Sequence, residues 1–211
     1  MDKILNTRRE ARLRNWEISL LVALCITVLT GVWARAEQQS LASKLIRLHV
    51  VAASDEDEQQ RLKLEVRDRL LERLEPELEG VNDQEEARII IEGLLPELEE
   101  ISRTASADWG MPLDAQAAIA IESYPTREYD SFSLPAGEYL SLRVILGEGE
   151  GKNWWCVVFP PLCLSAAEGG AVEVSGLSGK DVALITEDGE GYVLKFKLVE
   201  LFGNLVSRLE R

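Results

Sequence analysis

The sequence predicts an α+β domain, mainly an antiparallel sheet packed by amphipathic helices, preceded by an N-terminal transmembrane or signal segment. Three observations carry this. Residues 18–34 form an apolar run with no charged side chain. Behind it, a short aliphatic stretch is followed by leucines that recur every four residues, the spacing of one helix face. From Asp114 the apolar period falls to two, with Gly and Pro between successive segments, as in a series of strands joined by turns. A strand, helices, strands and a closing helix, in that order, describe helices laid on one sheet.

Taken in order, residues 1–15 are polar and basic, with Lys3, Arg8, Arg9, Arg12 and Arg14 against Asp2 and Glu10. The positive-inside rule keeps such an end in the cytoplasm. Residues 16–36 form a signal peptide or a membrane anchor. Trp16 and Trp33 suit the two headgroup layers, and the 17 residues from Ile18 to Ala34 span about 26 Å as a helix, against a hydrocarbon core of about 30 Å. Ala34-Arg35-Ala36 supplies the small-x-small pattern that signal peptidase reads. Anchoring through residues 18–34 and cleavage near Ala36 both stay open, and both deliver the rest of the chain to the far side of the membrane. Residues 37–43 read as a polar linker.

Residues 44–211 are expected to make a single extracytoplasmic domain. Leu45, Ile46, Leu48, Val50 and Val51 form a run too short for a free-standing helix, so a buried strand is predicted. Ser54 and Asp55 end it and are placed to cap the next helix, with Glu56, Asp57 and Glu58 at the positive end of its dipole. Leu62, Val66, Leu70, Leu74 and Leu78 are its apolar stripe. Pro76 and Gly80 weaken its end, and Val81-Asn82-Asp83 offers a second start. That second helix carries Ala87, Ile90, Ile91, Leu94, Leu98 and Ile101 to about Ala105, and Pro96 is expected to kink or split it. Strands come next around Ala117–Ile121, Tyr129–Phe132, Tyr139–Leu146 and Trp154–Phe159, read as an antiparallel run. Glu168–Lys180 is a Gly- and Ser-rich loop, and Leu194–Leu209 is a third amphipathic helix.

The formal net charge is −14, and beyond residue 36 there are 17 basic against 34 acidic side chains. Such a surface repels nucleic acid and anionic lipid, which argues for no nucleic-acid partner. Cys25 lies in the apolar run, leaving Cys156 and Cys163 in the domain. In an exported chain a disulfide between them can persist and would stabilise the fold by about 2 to 3 kcal/mol in the chain-entropy model. Two separate buried cysteines are the alternative.

Few residues invite chemistry. His49 is the one histidine, so a metal site would have to be completed by scattered acids, and no metal or other cofactor is expected. A thiol hydrolase with His49 as base and Cys156 or Cys163 as nucleophile would need the thiols free, and nothing marks an oxyanion hole. No small-molecule substrate is indicated and no enzyme is expected. Trp154 and Trp155 are adjacent on a strand and point to opposite faces, so at most one is core. The other is a partner anchor, or is covered by loops. Arg67 and Asp68 lie on a helix face that is solvated or meets a partner.

Two strings resemble a known family. RLHVVAASD followed by QQRLKLEVRDRLL, and GKNWWCVVFPPLC from Gly151 to Cys163, are similar to the two signatures of the stage II sporulation protein R family, in the same order. The resemblance implies a sporulation signal, exported across the forespore membrane into the intermembrane space and then secreted or membrane-tethered. Its implied partner is a membrane-embedded aspartic protease of the mother cell, which it activates to process the early sigma-factor precursor. Carried onto this chain, the motif positions His49, Ser54, Asp55, Arg67, Asp68, Trp154 and Trp155 are the expected partner-binding residues. Ala53 stands where the family commonly has asparagine, which removes one polar contact at the corner. The rival class is a cell-wall protein that binds or trims peptidoglycan in the same space.

Overall fold

In the computed structural model residues 2–129, 132–162, 177, 181, 182 and 185 are described. The elements are α1 (Asp2–Ala42), β1 (Ile46–Val51), α2 (Asp57–Leu78), α3 (Gln84–Asp108), β2 (Ala115–Tyr124), β3 (Arg127–Glu128), β4 (Ser133–Leu134), β5 (Gly137–Leu146) and β6 (Asn153–Phe159). The fold is α+β, as expected. The expected loop Glu168–Lys180, apart from Leu177, and the expected helix Leu194–Leu209 lie outside the described residues, as does Cys163.

β2, β5, β1 and β6 make one sheet in that order, and β3 and β4 make a separate hairpin. β1 is buried along its whole length, as its aliphatic run requires. It pairs antiparallel with β6 but parallel with β5, while β2 and β5 are antiparallel. The sheet is therefore mixed but mainly antiparallel, as expected, with β1 and β5 its one parallel pair among the described residues. Hairpin-like spacing along the chain gives the direction of each strand but does not say which strand becomes whose neighbour, and here β5 rather than β2 settles beside β1.

α2 and α3 pack together on one face of the sheet. Their ion pairs run antiparallel, Arg69 to Asp108 at 2.7 Å and Arg73 to Glu97 at 2.6 Å. Leu62, Val66, Leu70 and Leu74 from α2 and Ala87, Ile91 and Leu98 from α3 are fully buried against Ile46, Leu48, Val50, Leu142 and Val144. Burying each such aliphatic side chain stabilises the fold by roughly 1.5–3 kcal/mol relative to exposure. Asp83 caps α3 as expected, accepting from the backbone N–H of Glu85 at 2.9 Å and of Glu86 at 3.2 Å. α3 runs on to Asp108, past Pro96 and beyond the expected Ala105. Pro76 also lies inside its helix. Both prolines are on the exposed side, where water can satisfy the carbonyl whose donor the ring removes, so neither splits its helix.

The predicted linker is also corrected. Residues 37–42 continue α1, with Leu41 fully buried and Ala42 nearly so. Gln84 on α3 holds this end down, donating its amide N–H to the carbonyls of Ala42 at 3.1 Å and Leu45 at 2.6 Å. Glu37, Gln38, Gln39 and Ser40 had suggested a free tether. They form a helix surface whose apolar residue, Leu41, turns inward.

Candidate functional site

The sheet face opposite the helices is built from alternate residues: Arg47 and His49 of β1, Glu122 and Tyr124 of β2, Tyr139, Ser141 and Arg143 of β5, and Trp155 of β6. Strand periodicity forces this, because Leu48 and Val50 occupy the helix face and their neighbours must point the other way. Polar residues on an otherwise aliphatic central strand need partners, and each finds them across the sheet.

His49 sits between two side chains. Its Nδ1 lies 3.0 Å from the Glu122 carboxylate and its Nε2 lies 2.9 Å from Asn153 Oδ1. With Nδ1–H donating to Glu122, the Asn153 amide can accept from Nε2–H or, turned over, donate to a bare nitrogen. Trp155 tilts against the imidazole at 5.8 Å and Tyr124 meets it edge-on at 6.3 Å. Burial works to raise the Glu122 carboxyl, but hydrogen bonds from Ser141 and His49 and the positive charges of His49 and Arg143 outweigh it and hold it below the ordinary range.

Arg47 is wholly buried. Its Nη2 donates to the Tyr129 hydroxyl at 2.5 Å, and its guanidinium carbon lies 4.0 Å from the centre of the Tyr124 ring and 5.2 Å from that of Tyr139. Nε and Nη1 have no hydrogen-bond acceptor among the described residues. The two ring faces give the charge its compensation. Burial pushes the phenols of Tyr124, Tyr129 and Tyr139 upward, so all three stay neutral beside it. Arg127 lies over the Trp155 ring at 4.0 Å.

The predicted site residues separate into three groups. His49 and Trp155 meet on this polar aromatic face. Trp155 is half-buried, packed among the aromatic side chains of that face. Trp154 points the opposite way, as adjacency on a strand requires, and packs against the helix-side core with Arg67 stacked on its ring at 4.6 Å. Arg67 also pairs with the exposed Asp68 at 2.6 Å. Ser54 and Asp55 form the third group, at the corner between β1 and α2.

That corner does not cap α2 as expected. The capping position is Glu56, which makes no side-chain cap bond. Ser54 Oγ accepts from the Glu56 N–H at 3.3 Å, and Asp55 accepts from the backbone N–H of Lys152 at 2.8 Å. The 147–152 loop is thereby stapled onto the corner, with Gly151 N–H donating to the Ala52 carbonyl at 2.9 Å. Gly151 is required there, since a Cβ would collide with the Ser54 carbonyl. Lys63 completes the staple, donating to the Lys152 carbonyl at 3.0 Å, and burial lowers its pKa. Gly147-Glu148-Gly149-Glu150-Gly151 is thus a close-approach loop.

Cys156 faces the helix side, away from His49, and is disulfide-bonded, so it supplies no nucleophile to the imidazole. Cys25 is free and exposed on α1. Among the described residues no three His, Cys, Asp or Glu side chains are grouped to hold a metal ion. Sequence reasoning missed Arg47, Glu122, Tyr124 and Asn153. The available signal was Arg47-x-His49 within an aliphatic strand, two polar residues on one face that required buried partners.

Fold and site together define an α+β domain behind a helix long and apolar enough to cross a membrane, with one sheet face covered by helices and the other holding a buried cation among aromatic rings. The family model described as Stage II sporulation protein R matches residues 42–168. The Stage II sporulation protein R of Bacillus subtilis (strain 168) is 34% identical over 191 residues, covering 79% of this chain and 84% of that protein. The chain belongs to the stage II sporulation protein R family, and this membership gives it a role in sporulation. No solved structure matches it.

Proposed function

We propose that the domain is exported behind α1 and acts as a protein signal, without chemistry of its own, that activates a membrane-embedded aspartic protease processing an early sigma-factor precursor. Family membership is the observation that carries this reading. α1 is compatible with it, as a signal segment or an anchor. A ligand activates only by binding the active form more tightly than the inactive one. The exposed Asp55 at the corner and the exposed Asp68 suit direct contact. His49, Arg67, Trp154 and Trp155 support the surfaces around them.

The test is co-expression in a heterologous bacterium of the full chain, the candidate protease and its sigma-factor precursor, with precursor cleavage as the readout. Cleavage that requires the chain is expected. Asp68→Ala and Asp55→Ala should reduce it while leaving accumulation of the chain unchanged. Unaltered cleavage with and without the chain, all three proteins being present and folded, would overturn direct activation and favour a cell-wall role, which binding to purified sacculi would reveal.

A further inference from the structure

β2 is an edge strand, and its hydrogen-bonding pattern can be read residue by residue. The Gly147 N–H donates to the Asp114 carbonyl at 2.8 Å, so Asp114 and Gly147 face each other as a hydrogen-bonded pair. Antiparallel pairs alternate, and the register pairs Ala115 with Leu146 and continues to Tyr124 with Gly137. Residues 116, 118, 120, 122 and 124 therefore bond to β5. Residues 115, 117, 119, 121 and 123 turn their N–H and C=O groups away from the sheet.

α3 covers the first part of this outward row. Arg103 donates to the Ala115 carbonyl at 3.2 Å, and Glu99 accepts from the Ala117 N–H at 3.0 Å. These two bonds independently confirm which groups point outward. Beyond them, Ile119, Ile121 and Ser123 have no partner for their outward groups among the described residues. Ile121 is 72% exposed, at the same end of the strand. At the other edge of the sheet the Trp155 carbonyl accepts from the Tyr129 hydroxyl at 3.3 Å. A bare edge strand that ends in an exposed isoleucine is a template for another strand.

We infer that the occupant is the β2 edge of a second copy of this chain, paired antiparallel about a two-fold axis through Ile121. In this register Ile121 faces Ile121 of the other copy, Ile119 faces its Ser123, and Ser123 faces its Ile119. All outward N–H and C=O groups of the three residues are then satisfied, as six hydrogen bonds across the axis. The next pair outward sets Ala117 against Pro125. Ala117 already has its N–H bonded to Glu99, and proline has no N–H to offer, so the ladder ends without orphaning a donor. The strand's one acid, Glu122, faces Ala120 of the other copy and is held by His49 and Arg143 on its own sheet, so no like charges stand opposite. The two Ile121 side chains cover each other. An interface this small belongs to the transient class, which suits a contact made and released during signalling. Nothing in this pairing depends on the protease being the partner.

Site-specific cross-linking of the full chain in detergent micelles tests it, with Cys25→Ser removing the free thiol. Under mild copper-phenanthroline oxidation, Ile121→Cys should form a covalent dimer at least tenfold faster than Glu92→Cys, on the exposed face of α3. Ile119→Cys mixed with Ser123→Cys should cross-link faster than either alone, which fixes the register. Adding Ile121→Pro to that mixture should return it to the Glu92→Cys rate. Its ring removes an N–H that points away from β5 and leaves the β2–β5 ladder intact. Ile121→Cys reacting at the Glu92→Cys rate would overturn the inference, as would a preference of Ile119→Cys for itself.

Discussion

Glu122 is the residue on which the polar face depends. Its carboxylate holds Nδ1 of His49 at 3.0 Å, lies 3.3 Å from the Tyr124 hydroxyl and 3.7 Å from Nε of Arg143. Its folded-state pKa is depressed, so its contribution to stability is complete above the ordinary carboxylate value of 4.5 and is lost as pH falls through the folded value. Urea unfolding measured from pH 7 to pH 3 should show stability falling below about pH 4.5, and Glu122→Gln should remove part of that fall. At neutral pH the same variant should cost about 1–3 kcal/mol, because the buried His49 Nδ1 loses its carboxylate acceptor. His49 itself was legible in the sequence as a singular residue. Glu122 was not, since nothing marks one acid among 37 Asp and Glu until the sheet brings it across 73 residues.

At the scale of elements, α2 and α3 were legible almost residue by residue, because an apolar period of about 3.6 is a local property. The Asp83 cap was legible for the same reason. Pro96 does not split α3, because the effect of a proline depends on which side of the helix it occupies. It lies on the exposed side of an unbroken α3. Pro96→Ala should restore the Glu92 carbonyl's donor and remove the ring, raising stability by about 1–2 kcal/mol after allowing for the stiffer unfolded chain that proline gives. Thermal melting at neutral pH checks this, and a lower melting temperature would mean that α3 needs the ring for its course along the sheet. The Ser54-Asp55 corner was misread. A cap and a staple use the same residue types, and only the position of Lys152 distinguishes them.

On the scale of the whole molecule, the membrane-competent helix and the domain are continuous. The last turn of α1 is part of the core, through Leu41 and the bonds from Gln84 to Ala42 and Leu45. A chain beginning at Glu37 should therefore keep the stability of the full-length domain. One beginning at Lys44 should lose about 2–4 kcal/mol, the cost of emptying the Leu41 site. Urea denaturation of the two truncated chains separates these outcomes, and equal stabilities would show that the end of α1 adds nothing. Cleavage after Ala36 would fall on the side that preserves Leu41, so anchored and released forms would share one domain structure.

By itself the sequence determined the kinds of element, their order, the membrane-competent segment and the family. Each of these is written in local periodicity or in short strings that need no partner to be recognised. Only the tertiary structure decided that β5 lies parallel beside β1, that Arg47 is buried among three tyrosines, that Asp55 staples a loop, and that β2 is left with an open edge. Those outcomes depend on which distant segments become neighbours. An alternating strand reads the same whether it lies at the centre of a sheet or at its edge, and the contacts that distinguish the two come from residues far away along the chain.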